Sequence, residues 1–165
     1  IVVSRSADIV QAFPVYVFLL VLVFALGSGA TSFILAATVI AWVGYARLVR
    51  GEVMRLREME FVAAARVSGL PPMRILATHV LPNALPQTMI YFMSDIVMMV
   101  LVLSSLSFLG VGIQPPTAEW GRMIAEGQPF LRSQWILSVA PGLMLMMFGI
   151  ALSLVADGLD EWSRK

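Results

Sequence analysis

Few side chains in this sequence are of a type and spacing that could do chemistry. Cysteine is absent and His79 is the one histidine. Disulfides and thiolate zinc sites are thereby excluded, and a histidine–carboxylate metal site lacks the ligands it needs. The stretch "GSGAT", Gly27–Thr31, is not followed by the Gly-Lys-Ser/Thr of a phosphate-cradling loop. Asp95 is the sharpest residue, about nine positions, or roughly 14 Å of helical rise, into a long apolar run. A carboxylate there is costly unless it faces water or a partner. Asp95 is therefore expected to face a pathway or a subunit interface, with Ser94 as one candidate hydrogen-bond partner. A satisfied packing contact between helices is the alternative. The methionines of "MSDIVMMV" and "GLMLMMFG" could suit a soft metal or a peptide path, but flexible packing is their ordinary use. Ser104, Ser105, Ser107 and Ser153 are likewise expected to serve helix packing. No catalytic, cofactor-binding or metal-binding set emerges, and the chain is not expected to be an enzyme.

The elements that carry these residues are apolar. The 165 residues are 59% hydrophobic and 13% charged, with a mean hydropathy of +0.89. A soluble domain has about a quarter of its residues charged. The net charge of +1 speaks against a polybasic nucleic-acid binder. Four segments reach the roughly 20 apolar residues that a membrane helix requires: about 9–26, 31–49, 86–110 and 135–156. Four such runs leave too little polar surface to coat a soluble domain. The expected fold is an all-α polytopic membrane protein with four transmembrane helices, its residues 1–165 forming one transmembrane domain. The start at "IVVSRSADIVQAFP" has neither Met nor a cleavage pattern, and the chain is expected to be the later part of a longer subunit.

Charge sets the expected orientation. Six arginines stand against three glutamates between Arg47 and His79, so the positive-inside rule puts that loop in the cytoplasm. In residues 111–134 the charges of Glu119, Arg122, Glu126 and Arg132 cancel, and this loop is expected outside, stiffened by Pro115 and Pro116. Both chain ends then lie inside. Trp120 and Trp135 are placed to anchor at the outer interface.

The cytoplasmic interruption, residues 50–82, is the least membrane-like part. Met54 to Ser68 contains no Pro or Gly and favours a helix. Gly69 is expected just past its end and "LPP" as a stop. Pro72 is expected to open a second short helix that "LPN" ends, with Pro86 starting the next span. Ala63, Ala64 and Ala65 would let another protein approach closely, and Arg55, Arg57, Glu58 and Arg66 would rim that contact. A linker helix lying on the bilayer is the plainer alternative, but a linker needs neither two breakers nor two short helices.

These residues resemble the permease subunit of bacterial ATP-binding cassette importers, in the dipeptide/oligopeptide/nickel branch. That family carries Glu-Ala-Ala, three residues, Gly, nine residues, an apolar position, one residue and then Leu-Pro. Here the stretch reads Ala63-Ala64-Ala65, Gly69 and His79-Val80-Leu81-Pro82, with the spacing complete and Ala63 in place of the family glutamate. Arg66 and His79 to Asn83 fit the branch. So do "LSFLGVGIQPPTAEWG", "APGLMLMMFGIALSLVADGL" and the initial "RSADIVQAFP".

The resemblance implies a membrane subunit of an ATP-driven importer in the bacterial inner membrane, forming half of a pathway for peptides or similar small solutes. It implies that Glu60, Ala63, Ala64, Ala65, Arg66, Gly69, Leu81 and Pro82 couple to a cytoplasmic ATPase, with Glu60 or Arg66 as replacements for the missing acid at 63. Two ATPase subunits binding ATP and Mg, a similar or identical permease and an extracytoplasmic substrate-binding protein would complete the complex. Membrane lipid surrounds it, and this chain holds no cofactor. Loop 111–134 would receive the binding protein or cap the helix ends. Two other classes compete: an ion-gradient transporter, for which Asp95 is the one acidic candidate in a span, and a structural membrane anchor. Neither gives the Gly69 to Leu81-Pro82 spacing a reason.

Overall fold

A computed structural model of the protein describes residues 14–27 and 29–163. The described residues form helices: α1 (Val15–Leu26), α2 (Ala30–Arg57), α3 (Glu60–Val67), α4 (Pro72–Ile75), α5 (Leu81–Phe108), α6 (Trp120–Gly127) and α7 (Ile136–Ser163). Between α4 and α5 the helix widens into one π-helical turn, Leu76–Val80. Three helical stretches are long and apolar enough to cross a bilayer: Ala30–Arg57, Pro72–Phe108 and Ile136–Glu161. The described part of the first expected span is the shorter apolar α1, opened by Pro14; its expected start at residue 9 lies outside the described residues, as does "RSADIVQAF".

Two boundaries differ from the sequence reading. The second span does not end at residue 49, because α2 continues for two more turns through helix-favouring Glu, Met and Arg. Arg55 pairs with Glu52 one turn back and supports this extension. The helix expected over Met54 to Ser68 is instead broken at Glu58 and Met59, where Met59 is extended (φ −76°, ψ 150°). No breaker residue marks that point. Reversing the chain there lets Leu56 from α2 and Val62 and Ala65 from α3 enter one buried cluster, and packing outweighs propensity.

The second difference is at "LPN", which does not end a helix. Proline at 82 lacks an N–H and its ring crowds the carbonyl four residues back. The chain meets this with the π turn just before it, where Leu81 N–H bonds to the carbonyl of Leu76. Asn83 Nδ2 then donates to the His79 carbonyl at 2.6 Å. The helix runs on through Pro86 to Phe108. From Pro72 it is 37 residues long, about 55 Å at the α-helical rise and well beyond a hydrocarbon core of about 30 Å.

The chain divides into two compact units. One comprises residues up to 43 and 95–152, the other 44–94 and the end from 153. The core of the first joins Leu19 and Val23 of α1, Phe33, Ala36 and Ile40 of α2, and Val102 and Leu106 of α5. Its outer segment, 111–134, is fastened rather than free. Ser104 Oγ donates to Glu119 Oε1 at 2.6 Å, Ser107 Oγ accepts from Ile113 N–H at 3.1 Å, and Ser138 Oγ donates to the Ile124 carbonyl at 3.1 Å. Each serine faces a glycine, Gly121, Gly112 and Gly127 respectively, where an added Cβ would overlap it. The peptide bond between Pro115 and Pro116 is cis.

Trp120 is half-buried and packs on Phe148 with ring centroids 5.9 Å apart, so it serves packing. Trp135 is exposed, as an interfacial anchor requires.

Candidate partner-docking site

The second unit builds the helical hairpin in which the sequence motif sits. Its core is Leu56, Val62, Ala65, Ile75, Val80 and Ala84, with Val53 and Leu70 packed against it. Val62 and Ala65 are one turn apart on α3 and therefore share a face. That periodicity sorts the three alanines: Ala65 is 6% exposed, while Ala63 and Ala64 lie on the open side. Ala65 thus serves the hairpin's own core, and a contact surface is left to Ala63, Ala64 and Val67. Val67 is 91% exposed and Met73, across the turn, 76%.

Gly69 makes the turn. With α3 ending at Val67, Gly69 takes φ +76°, a left-handed conformation that glycine adopts without strain. Leu70 N–H bonds to the Ala65 carbonyl at 3.3 Å and Gly69 N–H to the Arg66 carbonyl at 3.0 Å. This crossed pair closes the helix and brings Leu70 back over Ala65. Gly110 (φ +84°) closes α5 the same way, with Val111 N–H on Leu106 and Gly110 N–H on Ser107. Pro71 and Pro72 then start α4, with Arg74 and Ile75 N–H on the Pro71 carbonyl. The proline occupies a first-turn position whose missing N–H costs nothing.

The charged residues fall into distinct places. Glu60 is exposed in the first turn of α3, where a carboxylate is favoured by the helix dipole. Arg66 reaches back, its Nη2 donating to the Arg57 carbonyl at 3.5 Å, over the C-terminal end of α2. Arg57 and Arg66 border a groove of about 520 Å³ whose other walls are apolar, among them Val53, Val62, Leu70 and Leu76. Leu81 and Pro82 are exposed on the first turn of α5. His79 Nδ1 lies 2.6 Å from Thr78 Oγ1, and Thr78 Oγ1 also lies 2.7 Å from the Arg74 carbonyl, to which it donates.

The hairpin therefore brings Ala63, Ala64, Arg66 and Gly69 together on α3 and its turn. Asp95 is elsewhere, half-buried in α5. Ser94, one of its suggested partners, donates its hydroxyl to the Ile90 carbonyl at 3.3 Å. Near the same stretch, Tyr91 meets Tyr45 edge-on at 5.0 Å, and its hydroxyl would stand 2.6 Å from a Cβ on Gly44.

Sequence reasoning missed the serine–glycine fastening of the outer segment. The serines were visible, but nothing in their spacing said that the partners were glycines of the following loop. What the hairpin can do is mechanical: offer a small-residue surface, an apolar groove and two guanidiniums on a folded base.

Residues 1–165 match the family described as binding-protein-dependent transport system inner membrane component. The chain is 37% identical over 157 residues to the nickel transport system permease protein of Escherichia coli, an alignment covering 95% of this chain and 57% of that protein. It is 35% identical over 159 residues to the glutathione transport system permease protein of Shigella flexneri, covering 96% of this chain and 52% of that one. The chain thus spans little more than half the length of these relatives. Its helices are apolar enough for the membrane, its motif folds as a hairpin at the end of a long span, and the family match runs from end to end. The protein belongs to the family of inner membrane components of binding-protein-dependent transport systems.

Proposed function

We propose that this chain is the membrane-spanning part of an ATP-driven importer, forming half of a solute pathway and docking a separate ATPase through the α3–α4 hairpin. The observation that carries this reading is the hairpin's construction. Ala63, Ala64 and Val67 are presented outward by a helix whose other face, Val62 and Ala65, is locked into a core with Leu56, Ile75 and Val80. A surface helix held this way moves as a body with its base. The Pro72–Phe108 helix begins in that base and continues into apolar sequence, so displacement of the docked helix is passed into a span.

In this reading the hairpin and the C-terminus lie in the cytoplasm, in accord with the arginine excess, and residues 111–134 lie outside. Two ATPase subunits, which bind ATP and Mg, and a second permease, similar or identical, complete the assembly. An extracytoplasmic binding protein is received at the outer segment, whose fastening by Ser104, Ser107 and Ser138 suits a fixed platform. Asp95 faces the pathway or the interface with the second permease. The solute is a peptide or a small complex in the range spanned by the relatives' names, nickel and glutathione. The reading is tested by reconstituting the full-length permease with its ATPase and asking whether Val67→Cys cross-links to the ATPase in a nucleotide-dependent way.

A further inference from the structure

Beside the apolar groove the hairpin carries a second hollow, of about 470 Å³, lined by Met54, Arg57, Glu58, Ala63 and Arg66. All five are exposed. Arg57 and Arg66 line both hollows, so two guanidiniums stand on the ridge between an apolar groove and an open polar one. Arg66 spends one donor on the Arg57 carbonyl, and a guanidinium has five. Among the described residues, the ion pairs found are elsewhere, at Arg55–Glu52 and Arg122–Glu126. Glu58 is the single carboxylate in the lining, against two arginines, and Ala63 contributes no polar atom.

We infer that the partner docked on α3 inserts a carboxylate into this hollow, against Arg57 and Arg66, while an adjoining apolar side chain fills the groove beside it. The inference rests on the reading of α3 as the docking helix and names what the partner must present. Charge complementarity selects an anion, and the planar fork of arginine suits a carboxylate held bidentately. A protein side chain fits better than a charged membrane surface. Glu58 borders the hollow and Glu60 is exposed at the start of α3, so a broad negative sheet meets repulsion that a single placed carboxylate avoids. The neighbouring exposed Val67 and Met73 also offer a protein partner apolar contact.

Position 63 gives the test, because it lies on the exposed face of α3 and lines the hollow. Ala63→Gln and Ala63→Glu add side chains of the same length, one neutral and one that supplies the hollow with its own carboxylate. Full-length permease is held in nanodiscs of zwitterionic lipid, and binding of its ATPase is measured by titration. Ala63→Gln reports the effect of bulk. Ala63→Glu is expected to weaken binding about tenfold further, as the partner's acid then meets a filled and neutralised site. Added salt should weaken wild type more than Ala63→Glu. Equal affinities for the two variants, or tighter binding by Ala63→Glu, overturn the inference. So does a difference that appears only when anionic lipid is added to the discs, which assigns the hollow to a lipid headgroup. Should wild type bind no ATPase and Val67→Cys give no cross-link, the docking reading itself fails and this inference with it.

Discussion

Ser104 and Glu119 are joined hydroxyl to carboxylate across 2.6 Å, and this bond ties the start of α6 to the outer end of α5. The second carboxylate oxygen of Glu119 accepts Arg122 N–H at 3.0 Å and so caps α6. Glu119→Ala removes both bonds and is expected to lower stability by about 2 kcal/mol. Ser104→Ala removes one and should cost about 1 kcal/mol. Thermal unfolding in detergent reads both. Unchanged melting of Glu119→Ala would mean that apolar contacts alone hold the outer segment.

Gly44 leaves room for the Tyr91 hydroxyl, which a Cβ would approach to 2.6 Å. Gly44→Ala is expected to destabilise by about 1–3 kcal/mol through overpacking. Adding Tyr91→Phe deletes the colliding oxygen and should recover most of that loss. A double-mutant cycle in which the two effects simply add would show that the helices shift apart at no cost.

Gly69 at φ +76° predicts that Gly69→Ala costs about 1 kcal/mol and loosens the turn between α3 and α4. Limited proteolysis of the hairpin in membranes should become faster, with the spans left intact. No change in cleavage would mean that the Leu70–Ala65 closure survives without glycine.

Asp95→Asn keeps shape and removes charge. With Asp95 at the pathway or the permease interface, transport by the assembled complex or its assembly should fall while membrane insertion is retained. Wild-type transport and wild-type assembly together would assign Asp95 to helix packing.

The membrane class was legible from apolar length alone, because about 20 apolar residues leave a chain few other places to go. The hairpin was legible from its punctuation: Gly69 and Pro72 act through local backbone geometry and sit where local rules put them. What the sequence did not reveal depends on contacts between distant residues. The break at Glu58–Met59 has no local signal; it exists because Leu56, Val62 and Ala65 share a core. The inward face of Ala65 follows from the same packing, so three alanines that look equivalent in sequence divide into one core residue and two surface ones. At Leu81-Pro82 the local rule misled, since a π turn absorbs the proline and the helix continues. The outer segment was readable as a loop but not as a fastened one, because Ser104 and Glu119 meet only through the fold.

The account's central claim is that α3 docks an ATPase and moves with it. Cysteine is absent from the sequence, so Val67→Cys, at a position 91% exposed, would give a single reporter where the rest of the full-length permease is also free of cysteine. With a second cysteine placed in the docking groove of the ATPase, cross-linking is followed in native membranes with and without ATP. The account predicts a specific permease–ATPase adduct whose yield changes with nucleotide. No adduct at any of several groove positions, from a correctly inserted permease whose Val67→Cys is labelled from the cytoplasmic side, would contradict it.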